Sequence, residues 1–250
     1  MSRRAIFSTS DQLELLTDIL SKFARLPFAP TRIPGAVLEG ALAYVRGGKV
    51  LETYDFVDVI QPEARCGWQV KSTKARTPVT WKRAKIPNAV ALITASRESS
   101  IGAQALGDTL IKFCNDHALE SIRLYDLAAV GYSRLIIFPN GQVMYFERLL
   151  CDRASPSIFN PADFDWRWST PKKTVKKEQL PALHGFHRST GRKWWAWHGL
   201  GENQLHFSGE SSWWPPFGAA HTATFPFPTE RDRVGWEEFA ELLTRLKDST

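Results

Sequence analysis

The chain has 250 residues, of which 43% are hydrophobic and 23% charged, with a net charge of +6. This is the composition of a folded globular protein and excludes collagen-like, low-complexity and disordered classes. Three cysteines (Cys66, Cys114 and Cys151) without a CxxC argue against a disulfide framework and for a reducing, cytoplasmic compartment.

The length suits one domain, or one domain with an elaborated second lobe. A chain of this size buries roughly 70% of its unfolded surface and needs no staples. The N-terminus MSRRAIFSTSDQLELL lacks the apolar stretch of a signal peptide, and the longest apolar run, AVALITA, is too short to span a bilayer. The basic balance favours a polyanionic partner over a membrane.

In chain order, TSDQLELLTDILSKFARL reads as an amphipathic helix with Leu13, Leu16, Leu20 and Phe23 on one stripe and a Thr9–Gln12 capping box. PFAPTRIP is a connector. GAVLEGALAYVRGG is a second helix stopped by Gly47-Gly48. KVLETYDFVDVI is β-rich, QPEARCG is a turn, and WQVKST is a strand. A basic loop follows, then PNAVALITAS as a further strand. SSIGAQALGDTLIKFCNDHAL is a helix that buries Ile101, Leu106, Leu110 and Phe113. SIRLYDLAAV, YSRLIIFP and GQVMYFERLL are three short strands, the last two joined by an Asn140-Gly141 hairpin. The order predicts an α/β core with a mixed central sheet flanked by helices over residues 1–150. Residues 151–235 form a basic, aromatic-rich region, largely irregular or β. GWEEFAELLTRLKD closes the chain as a helix within residues 236–250.

The pair Gln69 and Lys71 sits two residues apart on the WQVKST strand, so both side chains point to one face. Asp58 lies on the preceding strand and Glu39 on the preceding helix. Mg²⁺-dependent phosphodiester hydrolysis needs hard oxygen ligands around the cation, with waters left in place. It also needs a positive group beside the attacking water and the scissile phosphate. Asp58, Glu39, the Gln69 amide oxygen and the Val70 backbone carbonyl supply candidate metal ligands, and Lys71 supplies the ammonium. Taken singly, each has an ordinary reading: a strand-end acid, a solvated helix acid, an edge-strand lysine. Asp55, three residues before Asp58, is a rival acid.

This arrangement, a helix Glu39, Asp58, then Gln69-Val70-Lys71, resembles the PD-(D/E)xK nuclease superfamily. That superfamily includes most type II restriction endonucleases, Mrr-like nucleases and several repair and transposition nucleases. The order helix, hairpin, strand, helix, strand is also that of its core. The chain departs from the pattern in two places: no proline precedes Asp58, and Gln69 replaces the usual acid. The Q-x-K form occurs in restriction enzymes and Mrr-like proteins, and it removes one negative charge from the metal site. The resemblance spans about 35 residues. It implies a restriction-endonuclease-like core, Mg²⁺ as cofactor, and Asp58, Gln69, Lys71 and Glu39 as the catalytic set.

Charge adds an independent signal. Between Glu63 and Glu98 there is no acid, while Arg65, Lys71, Lys74, Arg76, Lys82, Arg83, Lys85 and Arg97 fall in the interval. This is the footprint of a phosphate-binding surface, with Trp81 interleaved where it could stack on a base. A second cluster, Lys172, Lys173, Lys176, Lys177, Arg188, Arg192 and Lys193, is accompanied only by Glu178. Trp194, Trp195, Trp197, Trp213 and Trp214 flank a polar stretch, Glu202–Ser212, whose Asn203 and Gln204 are residue types that read adenine edges. The histidines show no zinc spacing, and there is no nucleophile elbow and no nucleotide-binding glycine motif, so no NTP dependence is expected.

The sequence therefore points to a Mg²⁺-dependent endonuclease acting on double-stranded DNA, of the sequence-specific type II restriction class. DNA-binding residues are expected at Lys74, Arg76, Trp81, Lys82, Arg83, Lys85, Asn203 and Gln204. The rival readings are a structure- or modification-directed repair or transposition nuclease and a non-catalytic DNA-binding protein. Expected partners are DNA, a second copy of the chain in a homodimer, and a DNA methyltransferase acting on the same site.

Overall fold

The computed structural model describes residues 4–53, 55–173 and 178–247. Lys176 and Lys177 of the second basic cluster, Arg3 at the N-terminus and residues 248–250 of the C-terminal segment lie outside the described residues. The elements in chain order begin with α1 (Ser10–Ala24), α2 (Gly35–Arg46), β1 (Lys49–Val50), β2 (Val59–Gln61), β3 (Cys66–Lys74) and β4 (Val79–Arg83). Next come α3 (Ala89–Glu98), α4 (Ser100–Leu124), β5 (Ala129–Ile137), β6 (Gln142–Asp152) and β7 (Phe164–Trp168). The remainder are β8 (Lys172–Lys173), β9 (Glu178–Gln179), β10 (Leu183–His187), β11 (Lys193–Trp197), β12 (Gln204–Phe207), β13 (Thr222–Pro226) and α5 (Trp236–Lys247). No helix among the described residues is long and apolar enough to cross a membrane.

The protein is mixed α/β and divides into two compact units, neither continuous in sequence. One comprises residues 1–76, 129–149 and 215–250, and the other 77–128 and 150–214.

The first unit is built on a six-stranded sheet in the order β1-β2-β3-β5-β6-β13. β1 and β2 pair antiparallel, as do β2 and β3, whereas β3 and β5 run parallel over nine residue pairs from Cys66↔Ala129 to Lys74↔Ile137. A turn of four residues, 138–141, joins β5 to β6, a connection that only antiparallel neighbours allow. The sheet is therefore mixed, with α1 and α2 against one face. Leu16, Leu20, Leu38 and Leu42 from these helices pack on Val59, Trp68, Val70 and Tyr145.

Local chemistry explains both helices. Thr9 accepts from the Gln12 N–H while Gln12 accepts from the Thr9 N–H, closing the capping box of α1. Gly47 ends α2 in the left-handed region at φ 59°, which costs a glycine little. The Arg46 guanidinium, 6% exposed, lies 4.8 Å over the Trp68 ring and donates to Ser8 Oγ at 3.2 Å. Ser8 Oγ in turn donates to buried Glu147 at 2.7 Å, so the N-terminal segment is held by a buried polar network in which only Arg46 Nε lacks a partner among these groups.

The second unit is a five-stranded antiparallel sheet, β4-β12-β11-β10-β7, with α4 packed on one face. That face is aromatic: Trp81, Trp195, Trp197, Phe164 and Phe207 are each at most 1% exposed. Gly107 on α4 is required by Trp166, because a Cβ there would fall inside the indole ring.

Four expectations are corrected. PNAVALITAS is not a strand; Ala89–Glu98 is helix α3, since a short apolar run has no period that separates the two. SIRLYDLAAV and YSRLIIFP are not two strands; α4 runs on through Leu124 and β5 is a single strand from Ala129. Ile101 is 81% exposed rather than buried. Residues 151–235 supply β7, β10, β11 and β12 to the second unit's sheet, and its remaining strand, β4, comes from the stretch read as a basic loop.

Candidate active site

Asp58 immediately precedes β2, and its N–H donates to the Trp68 carbonyl at 2.8 Å. The register Val59↔Trp68, carried one step back, sets Asp58 opposite Gln69. The Asp58 carboxylate accepts the Val70 N–H at Oδ2 over 2.7 Å, and the same oxygen lies 3.8 Å from Lys71 Nζ. Nothing among the described residues donates to Oδ1. The two side chains are 26% and 20% exposed, so this is the accessible edge of an otherwise buried strand. Gln69 is buried at 1% exposure.

Glu39, half-buried on α2, feels both of these charges. Burial raises its pKa above the ordinary value, the neighbouring Asp58 carboxylate raises it further, and Lys71 pulls it back. The Glu39 carboxylate makes no hydrogen bond or ion pair among the described residues. Asp55, the rival acid, instead accepts the Thr53 hydroxyl.

The structure therefore brings Glu39, Asp58, Gln69 and Lys71 into one neighbourhood within a single unit. Val70 joins them through its N–H, which orients the Asp58 carboxylate. The donors suit a hard cation. The Glu39 and Asp58 carboxylates lie within electrostatic reach of each other and of Lys71, and Gln69 sits opposite Asp58 in the register of β2 and β3. No group of three or more His, Cys, Asp or Glu side chains is arranged to hold a metal among the described residues. A closed cage of such ligands is thus not found there.

Sequence reasoning missed Arg134. It is in register with Lys71 across the parallel β3–β5 pair and is 0% exposed. Its guanidinium donates to the Lys71 carbonyl at 3.4 Å and to Thr73 Oγ1 at 2.9 Å, tying down the strand that carries the site. The signal was present as a lone arginine at an inward position of AVGYSRLII.

The expected DNA contacts separate into two groups. Lys74, Arg76, Arg83 and Lys85 are exposed. Trp81 is not available to stack on a base: it is 1% exposed and lies 5.3 Å from both Phe159 and Phe207, ring to ring, in the aromatic core. Lys82 is half-buried and close enough to the buried Cys114 thiol to lower its pKa. Glu202–Ser212 is not a projecting loop, because Gln204–Phe207 is an inner strand of the sheet. Asn203 holds the turn before it at φ 55°, a conformation asparagine tolerates. Gln204 is engaged at both ends of its amide, donating to Glu202 and lying 2.9 Å from His206 Nε2. In the second cluster, Arg188 pairs with Asp165 at 2.8 Å.

All three cysteines are buried, and burial pushes the Cys114 and Cys151 thiols up to about 12, which leaves neither as a nucleophile. No known protein family, curated protein or solved structure matched the chain.

Proposed function

We propose that this chain is a Mg²⁺-dependent endonuclease of the PD-(D/E)xK type that cuts double-stranded DNA at a specific sequence. The observation that carries the reading is the convergence of Glu39, Asp58 and Lys71, with an Asp58 oxygen held by the Val70 N–H at 2.7 Å and facing the Lys71 ammonium at 3.8 Å. The element order α2, antiparallel β1–β2–β3, α4 and parallel β5 supports it.

Asp58 and Glu39, with the Gln69 amide and the Val70 carbonyl, would hold the cation. A bound Mg²⁺ supplies Lewis-acid polarisation of the phosphate and lowers the pKa of a coordinated water. The Val70 N–H fixes the direction of the Asp58 carboxylate. Lys71 places a fixed positive charge where negative charge grows on the phosphate oxygens, which is worth most in a partly desolvated site. Arg134 keeps the Lys71 backbone in place. The exposed Lys74 and Arg76 continue the positive line beyond the site and bind phosphates without regard to sequence. On this reading the chain works in the cytoplasm beside a DNA methyltransferase that protects the same site, and a homodimer places one site on each strand.

Digestion of unmodified phage DNA with Mg²⁺, followed by sequencing of the ends, tests this. Discrete fragments with a common end sequence are expected. Unchanged DNA refutes the nuclease, and random ends refute sequence specificity.

A further inference from the structure

The second unit carries a pocket of about 200 Å³ on the sheet face opposite the tryptophans. It exists because of one small residue. In the row that crosses the sheet, His184 pairs with Ala196 and Ala196 with His206. Two strand spacings, about 10 Å, therefore separate two imidazoles across an alanine. His198 lies at the end of the same slot, its ring 4.9 Å from that of His206. Ser169, Thr170 and Lys193 stand at the rim, with Pro78 and Leu180 as apolar walls.

The volume is below the roughly 300 Å³ at which drug-sized sites begin, so the slot suits a single planar ring. Its polar groups are of mixed character. The Gln204 amide donates to Glu202 and turns its oxygen toward His206 at 2.9 Å. That fixes the His206 proton on Nε2 and leaves Nδ1 as an acceptor. The His198 imidazole makes no hydrogen bond among the described residues. Burial lowers the pKa of both rings, with Lys193 lowering His198 further and His198 lowering His206 further, so near pH 7 both are neutral: His206 offers its Nδ1 acceptor, and His198 offers one donor and one acceptor. An anion wants donors alone. The edge of a nucleobase presents donors and acceptors together, and imidazole faces can stack on it.

We propose that this slot takes one unpaired nucleobase of the DNA, with His198 and His206 reading its edge and Lys193 contacting its phosphate. The inference rests on the nuclease reading for its DNA partner, and it replaces Asn203 and Gln204 as the base-reading groups.

Imidazole NMR signals of the full chain test it without Mg²⁺, in the Asp58→Ala background so that no cleavage intervenes. Three probes are compared: a mixed-base single-stranded oligonucleotide, the same backbone made abasic, and inorganic phosphate. The base-containing strand is expected to move the His198 and His206 signals, and the other two to leave them in place. Ala196→Leu, which fills the slot and leaves the histidines, is expected to weaken the base-dependent shift at least tenfold, and His198→Ala to weaken binding of the mixed-base strand but not the abasic one. Equal shifts with phosphate or the abasic strand would mark an anion site and overturn the proposal, as would no shift with any probe. Cleavage by the parent chain without base-dependent shifts removes the slot alone, and base-dependent shifts without cleavage remove the nuclease alone.

Discussion

Replacing Asp58 separates catalysis from folding. Its carboxylate makes one short hydrogen bond, from the Val70 N–H at 2.7 Å, and a longer approach to Lys71 at 3.8 Å. Hydrogen bonds to a charged partner contribute about 1.5–3 kcal/mol, and partial exposure of the side chain puts this one at the lower end. Asp58→Ala leaves a strand N–H unpaired and is expected to cost about 1.5–2 kcal/mol. Asp58→Asn keeps an acceptor for Val70 and should cost about 1 kcal/mol, roughly a 2–4 °C drop in Tm. Neither threatens a fold with about 5–15 kcal/mol of stability. Both remove the charge that serves the transition state, so cleavage should fall at least about 10²–10³-fold. Urea denaturation, gel shift and cleavage are measured on the same preparations. Parent-level cleavage by Asp58→Asn refutes the site, and loss of cleavage that only follows loss of fold refutes the reasoning.

Four further outcomes are expected. Burial and Asp58 raise the pKa of Glu39, so the folded state takes up its proton more readily than the unfolded state, and stability falls as pH rises from about 4.5 through the folded value. Glu39→Gln should flatten that fall in a urea titration across pH and raise the Mg²⁺ requirement for cleavage; an unchanged pH profile refutes the environment assigned to Glu39. Gln69→Glu, which restores an acid beside Asp58, should keep activity at lower Mg²⁺ while Gln69→Ala loses it, and the reverse ranking in a Mg²⁺ titration removes Gln69 from the ligand set. Lys74→Ala and Arg76→Ala should each reduce the slope of log K against log salt by about 1 for every DNA sequence alike, whereas a sequence-dependent loss would make them readers. Gly107→Ala should destabilise the protein despite a helix-propensity gain of about 1 kcal/mol, because the new methyl meets the Trp166 indole; a raised Tm would refute that packing.

Features set by neighbours in the chain were legible without coordinates. The capping box of Thr9 and Gln12, the left-handed stop at Gly47 and the Asn140-Gly141 turn each depend on a few adjacent residues, and each forms as read. The period of two on β3 likewise assigned Gln69 and Lys71 to one face. What the sequence could not decide was which distant segments pair. Trp81 and Lys82 lie in a run whose lack of acids read as a phosphate-binding loop, yet Val79–Arg83 is a strand paired with β12 across more than a hundred residues, and that pairing buries the indole. The histidine slot has the same origin. His184, Ala196 and His206 mean little in linear order, and only the registers of β10, β11 and β12 set an alanine between two imidazoles. Local rules write caps and turns because those energies act within a turn of chain. Burial and cross-strand neighbours are properties of the packed sheet, where a residue's role is decided by what the other strands bring against it.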